Sequence, residues 1–301
     1  VFKKIQAFFL LLRPANILTS VSDVWAGFAI SGAILISLHR VISHLAHPEA
    51  LIYLTLSGAA LCAGSMVLSD YFDLYLDSID HPEKPLPQGI LSGRFAATSG
   101  FLFFLFGILL AFLTGPVSGF ISVVITIFYL FYNVYGRYHS LIGPINMGLV
   151  RGAQLLLGIS LLPSAIGFNF AVIFIPMVYI AAITSISRFE FSGISRLAIQ
   201  LTGWLYLFVI LYLLAVAIIN QKFWITLPFI IFLFFQIFVP ITQAFKSPSY
   251  KTVERTVNQG IVSLIILNAS LAVSFQGIFM GLIIISLLPI SKLLSRYYPL
   301  I

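Results

Sequence analysis

Five of the chain's nine acids, Asp70, Asp73, Asp77, Asp80 and Glu83, fall within fourteen consecutive positions. At about 100° per residue, a helix carries Asp70, Asp73, Asp77 and Asp80 on one face within roughly 80°, with Ser69 beside them. Such a stripe is unfavourable by itself, because like charges three or four residues apart repel. A divalent cation removes that cost. Mg2+ commonly takes one or two carboxylates and completes its shell with water and phosphate oxygens, so the spacing suits a magnesium ion shared with a substrate phosphate. The carboxylates of that stripe, with the Ser69 hydroxyl beside them, are the candidate ligands. The alternative is a solvated acidic helix end that only marks topology.

Further polar groups stand where such a site needs them. The segment His81-Pro82-Glu83-Lys84-Pro85-Leu86-Pro87-Gln88-Gly89 has three prolines, which forbid helix continuation, so it must fold as a fixed loop over the helix end. Lys84 and Arg94 either offer positive charge to a diphosphate or mark the cytoplasmic side. Asn16, Thr19, Ser20 and Asp23 follow spacings of three, four and seven and share a helical face. A carboxylate inside an apolar segment must face the interior, toward a substrate or toward a partner. Arg151, framed by Asn146 and Gln154, is the obvious partner; Arg151 and Asp23 form a structural pair or line the substrate site. Tyr71 and Tyr132 are candidates to shelter a cation with their rings.

The elements that position these residues are membrane helices. Sixty per cent of 301 residues are hydrophobic and 8 % are charged, against about 25 % charged in soluble domains. Nine apolar segments lie near 15–37, 50–69, 94–114, 117–134, 141–162, 169–187, 197–219, 223–245 and 258–288. They lack the two-residue alternation of barrel strands, so they read as helices. The fold class is all-α: one polytopic membrane domain over residues 1–301, with 1–13 as an amphipathic helix lying at the interface, Lys3 and Lys4 toward the headgroups. The bilayer is its partner; the net charge of +7 is scattered in ones and twos, not gathered into a nucleic-acid patch. Counting Lys and Arg in alternate loops gives eleven on the N-terminal side and four opposite, which predicts a cytoplasmic N-terminus and an outward C-terminus. The longer cytoplasmic loops, at 70–93 and 188–196, carry acids, bases, Pro and Gly, so the site is expected to face the cytoplasm. Cys62 is the one cysteine, which excludes an intramolecular disulfide and a cysteine-based metal site.

The stretch from Ser69 to Asp77, with the Pro-Glu-Lys-Pro-Leu-Pro-Gln-Gly run after it, resembles the first aspartate-rich motif of the UbiA superfamily, N-D-x-x-D-x-x-x-D followed by P-x-R-P-L-P-x-G. Nine spans and Arg13-Pro14 before the first extend the likeness over nearly the whole chain. A closer likeness is to EboC-type UbiA-like proteins, in Arg13-Pro14-Ala15-Asn16-Ile17, in the run from Gly143 to Gly152, and in Tyr179 to Thr184 running into Ser187-Arg188. Three positions depart from the family pattern. Ser69 stands where the family has Asn. Tyr132-Asn133-Val134-Tyr135-Gly136-Arg137 replaces Y-x-x-x-K, with the base shifted by one place. The second aspartate motif is replaced by Ser185 to Gly193, where Glu190 alone is acidic and Arg188 stands as a phosphate clamp or, with Glu190, as a helix cap.

The resemblance implies Mg2+-dependent departure of diphosphate from an isoprenyl diphosphate, and alkylation of a membrane-soluble acceptor, aromatic or lipid-like. Asp70, Asp73 and Asp77 are the implied catalytic residues, and Glu190 is the ligand left for a second ion. Lys84, Arg137, Arg151 and Arg188 are expected to share the diphosphate charge, with Asn16, Asp23, Asn146 and Tyr132 lining the substrate. A bacterial inner membrane is the expected location. The alternative is a protein of this fold that binds isoprenoids or lipids, or assists their transport, having lost efficient transfer.

Overall fold

The computed structural model describes residues 2–32, 48–187 and 195–298. Arg188 and Glu190 therefore lie outside the described residues. Helices account for all regular structure among those described: α1 (Phe2–Leu12), α2 (Pro14–Ser31), α3 (Pro48–Phe72), α4 (Leu74–Asp80), α5 (Gly93–Thr114), α6 (Pro116–Val134), α7 (Ile142–Ile159), α8 (Ser164–Asn169), α9 (Phe174–Ser187), α10 (Arg196–Ile219), α11 (Phe223–Lys246), α12 (Tyr250–Gln276), α13 (Ile278–Ile285) and α14 (Leu287–Tyr297). Nine helical stretches among the described residues are long and apolar enough to cross a membrane, and the pair α1 and α2, bent by 45° at Arg13, supplies a tenth.

Two halves meet at the centre. In one, α3, α5 and α6 close a core around Leu61, Phe104, Ile125 and Tyr129. In the other, α9, α10, α11 and α12 pack around Tyr179, Tyr206, Leu233 and Ile265. Helices α2 and α7 lie between them and touch both. Their approach is backbone to backbone: a Cβ added to Gly158 would sit 2.1 Å from the Val24 carbonyl oxygen, and one added to Gly27 would sit 2.1 Å from that of Leu155. Only glycine permits this, as in other close membrane-helix crossings. Gly148 and Gly152 serve α7 in the same way against Met177 of α9 and Ile173 just before it. Gly158→Ala is expected to separate α2 from α7 and lower stability by about 1–3 kcal/mol, the usual cost of overpacking; thermal unfolding in detergent checks this, and an unchanged midpoint would show the crossing to be looser than described.

The chain's last part corrects the expectation from sequence. The segment read as one span over 258–288 breaks at Gly277, whose φ of 95° lies in the left-handed region and stops α12. Helices α13 and α14 then fold back, α13 along α12 and α14 against α2. Tyr298 ends 6.1 Å from the ring of Phe9 in α1. The end of the described chain thus returns to the face that bears α1, and the outward C-terminus expected from the charge count is overturned.

On that face α1 buries Ala7 and Leu11 against Val67 of α3, Leu86 and Leu91 of the proline loop, and Ala96 of α5. Lys3 and Lys4 remain exposed. Serial turns tie the loop, with Lys84 N–H donating to His81 O at 3.1 Å and Gln88 N–H to Lys84 O at 3.1 Å. As the prolines predict, it is a fixed cover, wedged under α1 by two leucines.

Candidate active site

The acidic stripe forms as expected, with one detail added. The backbone turns slightly at Asp73, between α3 and α4, yet hydrogen bonding stays helical: Asp73 N–H donates to Ser69 O at 3.0 Å and Asp77 N–H to Asp73 O at 2.8 Å. Asp70 and Asp77, one heptad apart, are both buried at 6 % exposure. Asp73 is half-buried, and Asp80, at the edge of the stripe, is exposed. The stripe is therefore three carboxylates deep.

Each of the three has its own cation. Arg13 Nη2 donates to Asp70 Oδ1 at 2.9 Å, and Lys84 Nζ donates to Asp77 Oδ1 at 2.7 Å. Arg137 pairs with Asp73 and donates through Nη2 to Ser69 Oγ at 2.7 Å. The elements behind these bases explain their reach. Arg13 sits in the left-handed conformation, φ 45°, at the α1–α2 elbow. That conformation is costly for a residue with a Cβ, and the helices on both sides hold it there. The proline loop carries Lys84 back over α4. Arg137 lies in a single 3-10 turn, Gly136–Tyr138, after α6. Burial lowers the pKa of its guanidinium from the ordinary value, but arginine stays charged in proteins.

Among the described residues no group of three or more His, Cys, Asp or Glu side chains is gathered to hold a metal; Asp70, Asp73 and Asp77 each face a cation instead. The donors still suit Mg2+ by chemistry, since three carboxylates and the Ser69 hydroxyl are all hard oxygen ligands. A diphosphate would also give Arg13, Lys84 and Arg137 new partners. The set fits a metal that arrives with its substrate.

Deeper in the bundle a second ionic centre lies in the helix interior. Arg151 Nη1 donates to Asp23 Oδ2 at 2.9 Å and its Nη2 to Thr19 Oγ1 at 2.9 Å. Asn268 of α12 donates to Asp23 Oδ1 at 2.7 Å and to Ser22 Oγ at 2.8 Å. Asp23 is 0 % exposed. The sequence left two roles open for Asp23 and Arg151; the geometry forms the pair. Gln154 donates to Tyr129 Oη at 2.9 Å. Asn146 is buried with an unbonded Oδ1 among the described residues. Asn16 is buried, its Nδ2 3.7 Å from Met66 Sδ. Tyr132 and Tyr71 are half-buried, and Arg94 lies at the start of α5.

Three participants were missed. Arg13 was noted only as part of a family mark, although it lies three residues before Asn16 and so continues the polar face of α2. Asn268 was hidden in a long apolar segment with no charged neighbour. Asn133, buried, donates to Ser65 O at 3.0 Å and fastens α6 to α3 beside the stripe; its position between two tyrosines gave no signal.

Comparison with known proteins agrees with this architecture. Residues 25–249 match the model of the UbiA prenyltransferase family. The chain is similar to the digeranylgeranylglyceryl phosphate synthase of Ignicoccus hospitalis, 27 % identical over 155 residues, covering 52 % of this chain and 47 % of that one. It is likewise 28 % identical over 170 residues to the synthase of Methanosarcina mazei, covering 52 % and 55 %. The chain thus spans about half the length of these curated relatives. In fold it is similar to a UbiA homolog from Archaeoglobus fulgidus bound to DMAPP and Mg2+, with TM-score 0.68, 17 % identity, and 93 % of this chain and 99 % of that one covered. A solved structure concerned with digeranylgeranylglyceryl phosphate synthase aligns with TM-score 0.64 and 17 % identity over 91 % of this chain and 99 % of that one.

Proposed function

The chain belongs to the UbiA prenyltransferase family, and on that premise we propose that it is an intramembrane prenyltransferase, moving an isoprenyl group from an isoprenyl diphosphate to a membrane-soluble acceptor. The observation that carries the reading is the one-to-one pairing of Asp70, Asp73 and Asp77 with Arg13, Arg137 and Lys84. Such a cluster balances its own charge. It can accept a diphosphate and a divalent cation together by exchanging partners, without leaving a charge bare.

The exchange assigns each group a task. Arg137, a planar fork, and Arg13 turn from carboxylate to phosphate oxygens, which an arginine can clamp in pairs of hydrogen bonds. Lys84 follows as a point charge from above. Asp70, Asp73 and Asp77, with Ser69, are freed to hold Mg2+, which when bound supplies neutralisation of the charge growing on the leaving group. The allylic carbon–oxygen bond breaks with its electron pair going to the diphosphate, the acceptor's electron pair forms the new bond, and the acceptor gives up a proton. Tyr71, within the stripe's own segment, and Tyr132, at the end of α6, offer rings to shelter positive charge on the isoprenyl group. Arg188 and Glu190 complete the set in this proposal as a second phosphate clamp and a remaining acidic ligand. Asp23 and Arg151 hold α2, α7 and α12 in register below it, with Asn16 and Asn146 lining the space between.

Finer features rest on separate supports. The curated relatives are named for making digeranylgeranylglyceryl phosphate, which favours a lipid-like acceptor over an aromatic one. The EboC-type assignment rests on the Arg13–Ile17, Gly143–Gly152 and Tyr179–Thr184 stretches. The return of α14 moves Lys292 and Arg296 to the side of Lys3 and Lys4, which sharpens the basic bias and supports a cytoplasmic site with α1 lying in the interface; the bacterial inner membrane remains the proposed location on the sequence reading alone.

The test is incubation of the purified protein with isoprenyl diphosphates of several chain lengths, with and without Mg2+, and measurement of free diphosphate. Release confined to the Mg2+ arm is expected. The neutral cluster and the single acid of the second motif favour one other reading, a protein that binds isoprenoids or lipids or assists their transport; saturable isoprenoid binding with no diphosphate released at any length would establish it instead.

A further inference from the structure

On the outer surface between α11 and α12 a groove is lined by Phe232, Phe235, Gln236, Gln243, Arg255 and Gln259. It lies away from the aspartate stripe, since α12 and α2 stand between α11 and α3. Its lining is graded along both helices. Arg255 and Gln243 are exposed near the helix ends; Gln259 lies one turn, about 6 Å, farther in along α12, and Gln236 two turns in from Gln243 along α11. Phe232 and Phe235 continue the groove beyond them, 38 % and 59 % exposed. Thr256 Oγ1 donates to Pro240 O at 3.2 Å, which fixes the two helices at one level.

Polar side chains on a face that meets lipid need partners, because an unbonded amide in an apolar medium costs several kcal/mol. The side chains of Gln236, Gln243, Arg255 and Gln259 have no hydrogen-bond or ion-pair partner among the described residues. Pro240 adds to the deficit, having no N–H to give the Gln236 carbonyl within α11. By contrast Arg13, Lys84, Arg137 and Arg151 each have a carboxylate of their own. The sequence of chemistries, guanidinium outermost, then amides, then aromatic rings, matches an amphiphile from its headgroup inward. The geometry points to a binding site for one anionic phospholipid of the surrounding leaflet, its phosphate on Arg255 and Gln243, its ester oxygens on Gln236 and Gln259, and an acyl chain along Phe232 and Phe235. Lys246 and Lys251, exposed at the same end, add positive charge around the headgroup. This site is separate from the prenyl-transfer centre.

The test uses the full chain in nanodiscs of equal parts phosphatidylglycerol and phosphatidylcholine, with retained lipid counted by native mass spectrometry after release. The wild type is expected to keep phosphatidylglycerol over phosphatidylcholine by about five-fold or more, the weight of one basic residue beside an anionic headgroup. Arg255→Ala should abolish the preference and Gln259→Leu should weaken it, while Arg296→Ala, on the same face but outside the groove, leaves it intact. A wild type without preference, an Arg255→Ala protein that keeps it, or an equal loss in Arg296→Ala overturns the assignment. A photoreactive phosphatidylglycerol added to the wild type decides without any variant: labelling between residues 232 and 259 is expected, and labelling confined to other helices refutes the site.

Discussion

Asp73→Ala is expected to lower Mg2+-dependent release of diphosphate by about 10²–10³-fold, the usual cost of deleting one group aimed at charge that develops in a transition state. Two losses combine in this variant. The metal loses a ligand at the centre of the three-carboxylate stripe, and Arg137 loses the acid that holds it ready beside Ser69. Asp80→Ala is the matched control, since Asp80 belongs to the same stripe by sequence spacing but is exposed; its rate should stay within about two-fold of wild type, as expected for a surface substitution worth under ~0.5 kcal/mol. Unchanged release from Asp73→Ala would remove the stripe from the mechanism, and an equal fall in both variants would point to general charge rather than to a built site.

Asp23→Ala should act on stability before it acts on chemistry. The substitution leaves the Arg151 guanidinium, 6 % exposed, charged and without its carboxylate in the bundle interior, and it takes an acceptor from Asn268. Breaking a buried pair from one side costs about 3–5 kcal/mol. A strong drop in thermal unfolding midpoint in detergent is therefore expected. Asp23→Ala with Arg151→Met, which removes both charges, should recover much of it, because the penalty lies in the stranded cation more than in the lost attraction. A single variant as stable as wild type, with weakened diphosphate binding, would instead place Arg151 at the substrate.

These two centres differ in how far the sequence revealed them. The stripe was legible because the helix period converts a string of Asp residues into one face, and because the prolines after it allow only a fixed loop. The deep pair was legible as two ionisable residues in apolar segments with no other charge near them. What the spacing could not convey was which cation each carboxylate of the stripe meets. Nothing local to Asp70 indicates that Arg13, 57 positions away, turns back on it from a left-handed elbow. Asn268 was invisible for a similar reason: one amide set among the apolar residues of a 27-residue helix carries no periodic signal, and its meaning appears only when α2 lies against it.

The bundle's boundaries show the same division. Apolar length located the spans well, since each must cross about 30 Å of hydrocarbon. It failed over 258–288, where the chain is apolar enough to span on both sides of Gly277 and composition does not register a reversal. There the backbone decided, through a conformation that glycine adopts readily.

That reversal alters how the polypeptide divides between two compartments. A chain with an odd number of crossings has its extremities in different solvents; the return of α13 and α14 makes the number even and sets Tyr298 beside Phe9. Phe9 and Tyr298 thus meet on one face of the bundle, so a probe fixed at either end of the described chain would report on the same side as the aspartate stripe.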